Sequence, residues 1–285
     1  MSARRGGRRD PGLRVGMAIL AFLVFTTVFV PLLTPYDPVT QNVSNSLKPP
    51  SLSHWFGTDE FGRDVLTRVL YGTRPALLVG VLSVVVSAVV GVPLGMLAGF
   101  FGGLPDRLIS GWVDVMLSFP ALLMALLIVT LLGAGVPSLV LALGIAHVPI
   151  FVRLARSSAL LVREHDYVAA SRTFGASHAH VIRVHVLPNV LGPVVVMASL
   201  GIAGAIREEA ALSFLGLGIQ PPAPSWGNLI REGVAVIFDA PWLAVIPGIY
   251  LTASVLAFNL LGDVARDALD PRDIVGTATQ KRTTR

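Results

Sequence analysis

Long uncharged apolar segments are the feature that most limits what this chain can fold into. A helix that crosses a lipid bilayer needs about 20 mostly apolar residues, in a range of roughly 17 to 25. Six segments meet this requirement: Val15–Leu33, Ala76–Phe101, Val115–Leu132, Val136–Val152, Val190–Ile206 and Trp242–Leu261. Only 14% of the 285 residues are charged, against about a quarter in soluble domains. The sequence therefore predicts an all-α integral membrane protein with six transmembrane helices.

The arginine and lysine residues predict an orientation, because short cytoplasmic loops are enriched in these residues. With the N-terminus inside, the cytoplasmic segments hold 16 of the 22 basic residues: Arg4, Arg5, Arg8, Arg9, Arg14, Arg107, Arg153, Arg156, Arg163, Arg172, Arg183, Arg266, Arg272, Lys281, Arg282 and Arg285. We therefore predict that both termini are cytoplasmic. The first apolar run is too long for a cleavable signal peptide and no small-residue cleavage site follows it, so we expect a retained anchor.

The spans and their orientation predict five regions along the chain. These are a cytoplasmic N-terminus (1–14), a first transmembrane helix (15–33), an external segment (34–75), a five-helix core (76–265) and a cytoplasmic tail (266–285). The core contains a second external loop, 208–241, and an internal loop, 153–189. The chain has no cysteine, which excludes a disulfide framework, a thiolate nucleophile and a cysteine-based metal site.

The internal loop carries the signature of two short helices joined by a turn. Gly175 follows a helix-compatible stretch, and a glycine in this position commonly ends a helix in the left-handed conformation. Ser177 is placed to cap a second helix, His178–Leu187, which we expect Pro188 to end. The first helix offers a partner a surface of small residues, formed by Ala169, Ala170 and Ser171.

Several motifs connect the chain with one family of transport proteins. The pattern Ala169-Ala170-Ser171-x3-Gly175, followed by Leu187-Pro188, resembles the EAA loop of ABC importer permeases, which forms a coupling helix on a cytoplasmic ATPase. Ala169 stands where that family has Glu, and His185 stands where it has Ile. Three further stretches are similar to dipeptide/oligopeptide-type permeases of the C-subunit class: His54–Asp64, Ser213–Asn228 and Phe258–Arg272.

This resemblance implies a type I ABC importer permease fold in the bacterial inner membrane. It implies three kinds of partner: a homologous second permease subunit, two cytoplasmic ABC ATPase subunits and an external solute-binding protein. The solute implied is a di- or oligopeptide or a related small solute, a class in which relatives also handle glutathione and nickel complexes. The resemblance assigns the coupling role to Ala169, Ala170, Ser171, Gly175, Leu187 and Pro188.

The alternative function is a self-sufficient secondary transporter or channel. Such proteins usually place ionisable groups in mid-membrane to couple transport to ions, and many contain inverted repeats. Among the predicted spans only one such group occurs, His147 in the fourth, and the sequence shows no repeat. This pattern favours a permease that depends on partner ATPases.

Enzyme chemistry and nucleic-acid binding are not indicated. The chain has no Walker-type phosphate loop, Gly-x-Ser-x-Gly elbow or His-Glu-x-x-His motif, so we expect no catalytic residue and no cofactor. His178 and His180 are two residues apart on a helix and point to different sides, so we expect no metal site there. The net charge of +5 comes from residues that flank the spans, which fits a membrane surface rather than nucleic acid.

A cluster of charge, Arg207, Glu208 and Glu209, follows the fifth span directly. One interpretation is a solvated helix end, because Val190–Ile206 is near the lower length limit for a crossing. The other is that the chain stays at membrane depth, because the apolar run Ala210–Leu217 follows. On the second interpretation the charges face protein or a water-filled cavity. We hypothesise that Glu209 lines the external mouth of the translocation pathway and that Arg207 or Glu208 tunes its charge.

Overall fold

A computed structural model describes residues 11–269, and the regular structure in that range is helical apart from one β-bridge between Thr58 and Asp64. The helices in chain order are α1 (Pro11–Leu33), α2 (Val65–Phe101), α3 (Gly103–Leu117), α4 (Ala121–Leu132), α5 (Val136–Arg163), α6 (Asp166–Thr173), α7 (His178–Val181), α8 (Leu187–Phe214), α9 (Trp226–Ala235) and α10 (Trp242–Leu269). A 3-10 turn, Val43–Asn45, precedes α2, and a π-helical turn, Ile182–Val186, joins α7 to α8. Positions 1–10 and 270–285, which include most of the predicted cytoplasmic ends, lie outside the described residues.

Five of the helices are long and apolar enough to cross a membrane. They are α1, α2, α5, α10 and the continuous helix His178–Phe214 that contains α7 and α8. A sixth crossing is made only if α3 and α4 together form one bent span. The predicted fold class, an all-α membrane protein, is confirmed.

The third predicted span, Val115–Leu132, is wrong as a single straight helix. The segment breaks at 118–120, and α3 and α4 meet there at 88°. Pro120 disfavours a helical conformation at the residue before it, and the Ser118 hydroxyl donates to the Val115 carbonyl 2.6 Å away, which closes the last turn of α3. The 12 residues of α4 rise about 18 Å, which is less than the roughly 30 Å of a bilayer core.

Helices α2 and α5 extend beyond the second and fourth predicted spans. Helix α2 begins at Val65 rather than Ala76, and α5 continues from Val152 to Arg163. The apolar pattern in the sequence ends at the arginines of these extensions. In the structure, acceptor groups of neighbouring helices bind the arginine side chains. The Arg74 side chain donates to the Thr27 carbonyl at 2.9 Å, and the Arg156 side chain binds both carboxylate oxygens of Asp106.

Pro188 does not end the helix that begins at His178, contrary to our expectation. The backbone takes a wider turn just before it, in which the Leu187 N–H bonds to the Ile182 carbonyl five residues back. The wider turn accommodates a proline ring and its missing N–H, as π-turns inside helices commonly do. One residue after the proline, the Asn189 side chain donates to the His185 carbonyl at 2.7 Å.

Helices α2 and α5 pack closely through a line of glycines. The four-residue spacing of Gly91, Gly95 and Gly99 places them on one face, which predicts a close helix contact. A Cβ atom on Gly91 would lie 2.8 Å from the Val148 carbonyl oxygen, and one on Gly99 would lie 2.5 Å from the Arg156 carbonyl oxygen. The glycines therefore bring the two backbones together, as predicted.

The loops collect at two opposite ends of the bundle. At one end, which we call the 34–64 end, the indole N–H of Trp242 approaches the Thr58 carbonyl at 3.5 Å. At the other, the 164–186 end, His178 contacts the rings of Phe100 and Phe101 at the end of α2. The 37 residues of α2 separate the ends by roughly 55 Å. The predicted external segments share one end, and the predicted internal loop lies at the other.

Candidate coupling surface and charged clusters

The helix–turn–helix predicted for the internal loop is present. Helix α6 ends at Thr173, and Gly175 has a φ of +82°, the left-handed conformation expected of it. Ser177 caps the next helix, because its hydroxyl oxygen accepts from the His180 N–H at 3.3 Å. A Cβ on Gly175 would meet no atom within 4 Å, so the backbone conformation alone restricts this position.

Apolar contacts fix the position of the turn on the bundle. Val168 and Val181 are fully buried in one cluster with residues of α2, α5 and α8. The guanidinium of Arg172 lies 4.8 Å from the centre of the Phe100 ring, and His178 meets the same ring edge-on. One side of the turn is therefore held firmly on the ends of three long helices.

The other side of the turn is uncovered. Ala169 and Ala170 are exposed and Ser171 is partly exposed. Phe174 is 91% exposed, although its large apolar ring is ordinarily buried. Of the two later predicted residues, Leu187 is partly buried and Pro188 is exposed. The structure thus brings small residues and an exposed aromatic ring together on one surface, which we call the coupling surface: Tyr167, Ala169, Ala170, Ser171 and Phe174.

Three buried charged side chains and one partly buried side chain form a network at the 34–64 end. The carboxylate of Asp59 lies 2.7 Å from the Arg63 Nε atom and 3.4 Å from the Arg68 Nε atom. Glu232, on α9, completes it at 3.6 Å from Arg63 and 3.5 Å from Arg68. Burial raises the pKa of the Glu232 carboxyl, and the two arginines oppose that shift. The network ties the segment before α2 to α9.

Sequence reasoning did not identify this network. Its partners, Asp59 and Glu232, are more than 170 positions apart in the chain, and no periodicity connects them. The available signal was the pair Asp59 and Arg63, four residues apart inside the His54–Asp64 motif. Asp64 in the same motif accepts a hydrogen bond from Thr67 as the cap of α2 and lies 2.9 Å from His54.

The three charged residues after the fifth predicted span point in different directions. They lie inside α8, which continues to Phe214, so the helix does not end in water at Ile206. Arg207 is exposed, whereas Glu209 is fully buried. The side chain of Glu208 is 16% exposed and its Oε2 atom lies 3.3 Å from Nε2 of His147 on α5. The cluster is therefore divided among an open face, its edge and the interior.

Ser213, in the last turn of α8, connects the enclosed Glu209 to the segment that follows this helix. Ser213 donates its hydroxyl to the Glu209 carboxylate at 2.7 Å and accepts from the Ile219 N–H at 3.2 Å. The Asn228 side chain donates to the Ile219 carbonyl at 2.5 Å. The Ser213–Asn228 motif thus folds back over α8 and covers the carboxylate.

Two adjoining cavities form an open groove along α5 and α8. One, of about 490 Å³, is lined by residues of α8 with Leu154, Asp263 and Arg266. The other, of about 560 Å³, is lined mainly by α5 and shares Leu154 and Met197 with the first. The groove is chiefly apolar along its length.

The histidines of the internal loop interact with aromatic rings. His165 and His185 lie 5.3 and 5.5 Å from the ring of Tyr167. Within residues 11–269, no group of three or more His, Asp or Glu side chains is arranged to hold a metal ion. These contacts assign the histidines to packing around the coupling surface.

Two family models match the chain. Residues 91–274 match the model described as "binding-protein-dependent transport system inner membrane component". Residues 2–50 match the model of the N-terminal transmembrane domain of oligopeptide transport permease C. The two matches cover the coupling surface, the groove and the first helix.

Relatives of known name match nearly the whole chain. The dipeptide transport system permease protein DppC of Alkalihalophilus pseudofirmus is 44% identical over 90% of this chain and 85% of its own. The di/tripeptide permease DppC of Pseudomonas aeruginosa is 43% identical over 92% and 89%. The fold is similar to a chain of the inward-facing MetNI methionine ABC transporter, with a TM-score of 0.60, 18% identity and coverage of 72% of this chain and 98% of that one.

Proposed function

The chain belongs to the family of binding-protein-dependent transport system inner membrane components, and we propose that it forms, with a homologous second permease subunit, a pathway for di- or oligopeptides. Family membership makes it a multi-pass membrane permease of the ABC importer class. Solute selection by an external binding protein and ATP hydrolysis by two cytoplasmic subunits complete the proposed assembly. The alternative function is a self-sufficient transporter, and reconstitution of the protein with and without its partners distinguishes the two functions.

The observation that carries the proposal is the coupling surface. It is anchored on α2, α5 and α8 by Val168 and Val181, yet its outer side leaves Phe174 91% exposed. An anchored element with an exposed apolar surface is suited to receive a partner and to transmit its motion to the helices. We propose that Ala169, Ala170 and Ser171 lie against the ATPase, and that Gly175, Leu187 and Pro188 set the shape of the turn.

The proposed cycle is a population shift between inward-open and outward-open states. ATP binding to the partner subunits favours the state in which those subunits are closed, and the shift is limited by the difference in affinity for the two states. Closure moves the coupling surface, and the long helices α5 and α8 on either side of the groove follow. The permease itself stays passive.

We propose that the 164–186 end is cytoplasmic and the 34–64 end external, with both termini inside. Because the chain has no cysteine, single cysteines report on sidedness directly. We choose the exposed positions Ser51, Asp239 and Ala179. An impermeant thiol reagent added to intact cells should label positions 51 and 239 and leave 179 unlabelled; labelling of 179 alone would reverse the orientation.

Reconstitution tests the function itself. The chain is co-expressed with its second permease and ATPase subunits, purified, and placed in liposomes with the binding protein. Uptake of a labelled dipeptide should require ATP inside and the binding protein outside. ATP-independent uptake by the chain alone, driven by an ion gradient, would support the secondary transporter instead.

The charged residues of α8 belong to the proposed pathway. Arg207 is exposed on the helix and Glu208 lies at the edge of that exposed face, which supports a role in contacting solute. Glu209 stays a predicted pathway residue from an enclosed position, beneath the Ser213–Asn228 segment. We propose that it acts on the external mouth through that segment.

A further inference from the structure

The pair formed by His147 and Glu208 is an unexplained polar contact inside the bundle. His147 lies 11 residues into α5, about 17 Å along the helix, and its side chain is 10% exposed. Ionisable groups at such depth are costly and generally mark solute or ion pathways.

The pair is not satisfied by the surrounding protein. The Nε2 atom of His147 and the Oε2 atom of Glu208 are 3.3 Å apart. Within residues 11–269, neither Glu208 Oε2 nor His147 Nδ1 has a hydrogen-bond partner. A buried polar atom without a partner costs free energy comparable to a lost hydrogen bond. Oε2 is enclosed beside His147, whereas the Glu208 side chain as a whole is 16% exposed, so it also has an outward-facing part that a donor on another molecule can approach.

Helix geometry places the pair at the end of the groove. His147 and Leu154 are seven residues apart, which is two turns, so they share one face of α5. On α8, Leu200 and Arg207 are likewise seven apart, and Glu208 lies at the edge of this face toward α5. Leu154 and Leu200 both line the 490 Å³ cavity. The pair therefore lies on the continuation of the groove toward the 34–64 end.

We propose that Glu208 binds the cationic amino group of a solute in the translocation pathway and that His147 is its positioning residue. This inference rests on the proposed transport function and names the chemistry that this chain contributes. An ammonium group is a donor that suits a partly enclosed carboxylate, because charge-assisted hydrogen bonds are short and strong. The apolar groove beyond accommodates the rest of the solute, and the exposed Arg207 lies beside the site for a carboxylate.

The first test is Glu208→Gln in the reconstituted, complete transporter. Uptake is measured for a labelled dipeptide with a free amino group and for the same dipeptide N-acetylated. Glu208→Gln should raise the KM of the free-amine peptide roughly tenfold or more, the size of a charged hydrogen bond. Its kcat and the kinetics of any uptake of the acetylated peptide should stay close to wild type. The control, Glu60→Gln, removes a charge from an exposed side chain at the 34–64 end and should change neither.

The second test separates a positioning role of His147 from simple packing. Gln presents an amide N–H near the place of the imidazole Nε2, Asn presents one near the place of Nδ1, and Leu presents none. His147→Gln should keep a KM near wild type, whereas His147→Asn and His147→Leu should raise it for the free-amine peptide. Equal effects of all three variants would assign His147 to packing and overturn its positioning role.

The outcomes distinguish this inference from the proposed function. If wild type transports with ATP and Glu208→Gln leaves the KM of the free-amine peptide unchanged, the proposed recognition is wrong and the transport function stands. An equal loss for both peptides would also overturn it, because the residue would then support the structure. If wild type shows no ATP-dependent uptake with its partners present, both the function and the inference fail.

Discussion

The two ends of the bundle differ in how their segments are held together. At the 34–64 end, charged side chains are turned inward, and Asp59 and Arg68 are each 1% exposed. Both ends also leave large apolar side chains exposed: Leu52 and Phe238 at the 34–64 end, and Phe174 at the 164–186 end. One end joins distant segments through buried charge, whereas the turn at the other end is held by apolar contacts on one side and exposed on the opposite side. The difference indicates that buried charge supports folding at the first end, whereas the outer side of the turn at the second end contributes little to folding.

The largest effect on stability is expected when a charge is removed from the buried network at the 34–64 end. Asp59→Asn keeps an acceptor for the Phe61 and Arg63 N–H groups, which bond to Oδ1 at 2.9 and 3.0 Å, but leaves the two arginines with one counter-charge fewer. Loss of one partner of a buried ion pair costs about 3–5 kcal/mol. We expect a marked fall in Tm in detergent. Glu60→Gln, its exposed neighbour, should leave Tm unchanged; equal Tm values for both variants would contradict the importance of the network.

A second variant should affect the function of the 164–186 end with little effect on folding. Gly175→Val requires a β-branched residue at a φ of +82°, which costs about 1–3 kcal/mol where the conformation is enforced. We expect the turn to shift, with loss of ATPase association or of solute-stimulated ATP hydrolysis and with normal membrane insertion. Gly175→Asn is the matched control, because Asn tolerates the left-handed conformation. Full coupling in the Val variant would remove the turn from the coupling role.

The parts of the molecule that sequence alone predicts are those with a local cause. Apolar length predicted the long helices, and Gly175 and Ser177 act within their own turn. The bend between α3 and α4, by contrast, arises where Pro120 and the Ser118 hydroxyl act together inside an apolar run that looks continuous. The helix continues through Pro188 by means of the wider turn before it, and the Asn189 side chain bonds to the His185 carbonyl beside it. Neither effect has a signal in hydropathy.

The candidate sites divide in the same way. The small residues of the coupling surface are adjacent in the chain, so a motif identifies them. The buried network and the pair of His147 with Glu208 join residues of distant segments. Their spacing in the chain carries no information on their distance in space. The sequence shows three consecutive charged residues, Arg207, Glu208 and Glu209. Only the orientation of α8 in the structure distinguishes the exposed Arg207 from the enclosed Glu209.

Two phenylalanines at the 164–186 end test whether its exposed and buried sides have different roles. Phe174→Ala removes a ring that is 91% exposed, and Phe100→Ala removes one that is 3% exposed. The first should change the free energy of unfolding by no more than about 0.5 kcal/mol, yet weaken ATPase binding by roughly tenfold, since truncation of an interface aromatic residue commonly costs 1–2 kcal/mol. The second should cost about 3–5 kcal/mol of stability. Binding is measured by co-purification at graded ATPase concentrations, and unchanged binding by Phe174→Ala would place the partner elsewhere.

The smallest structural change concerns Glu209, whose carboxylate is fully buried on α8 beside the Ser213 hydroxyl. Gln at this position keeps the shape and can still accept the Ser213 hydroxyl, now 2.7 Å from Oε1. Because burial of an unpaired charge is costly, the Tm of Glu209→Gln should equal or slightly exceed that of wild type. Assembly and basal ATP hydrolysis should likewise be unchanged. Uptake should nevertheless fall, since the hypothesis gives the charge a role at the external mouth through the 213–228 segment.

Ser213→Ala is the informative companion, because it removes the hydrogen bond and keeps the charge. A fall in uptake for Glu209→Gln alone would assign the effect to charge, whereas a fall for Ser213→Ala alone would assign it to the position of the segment. Uptake equal to wild type in both variants would return Glu209 to a purely structural role and confine the pathway charges to Arg207 and Glu208.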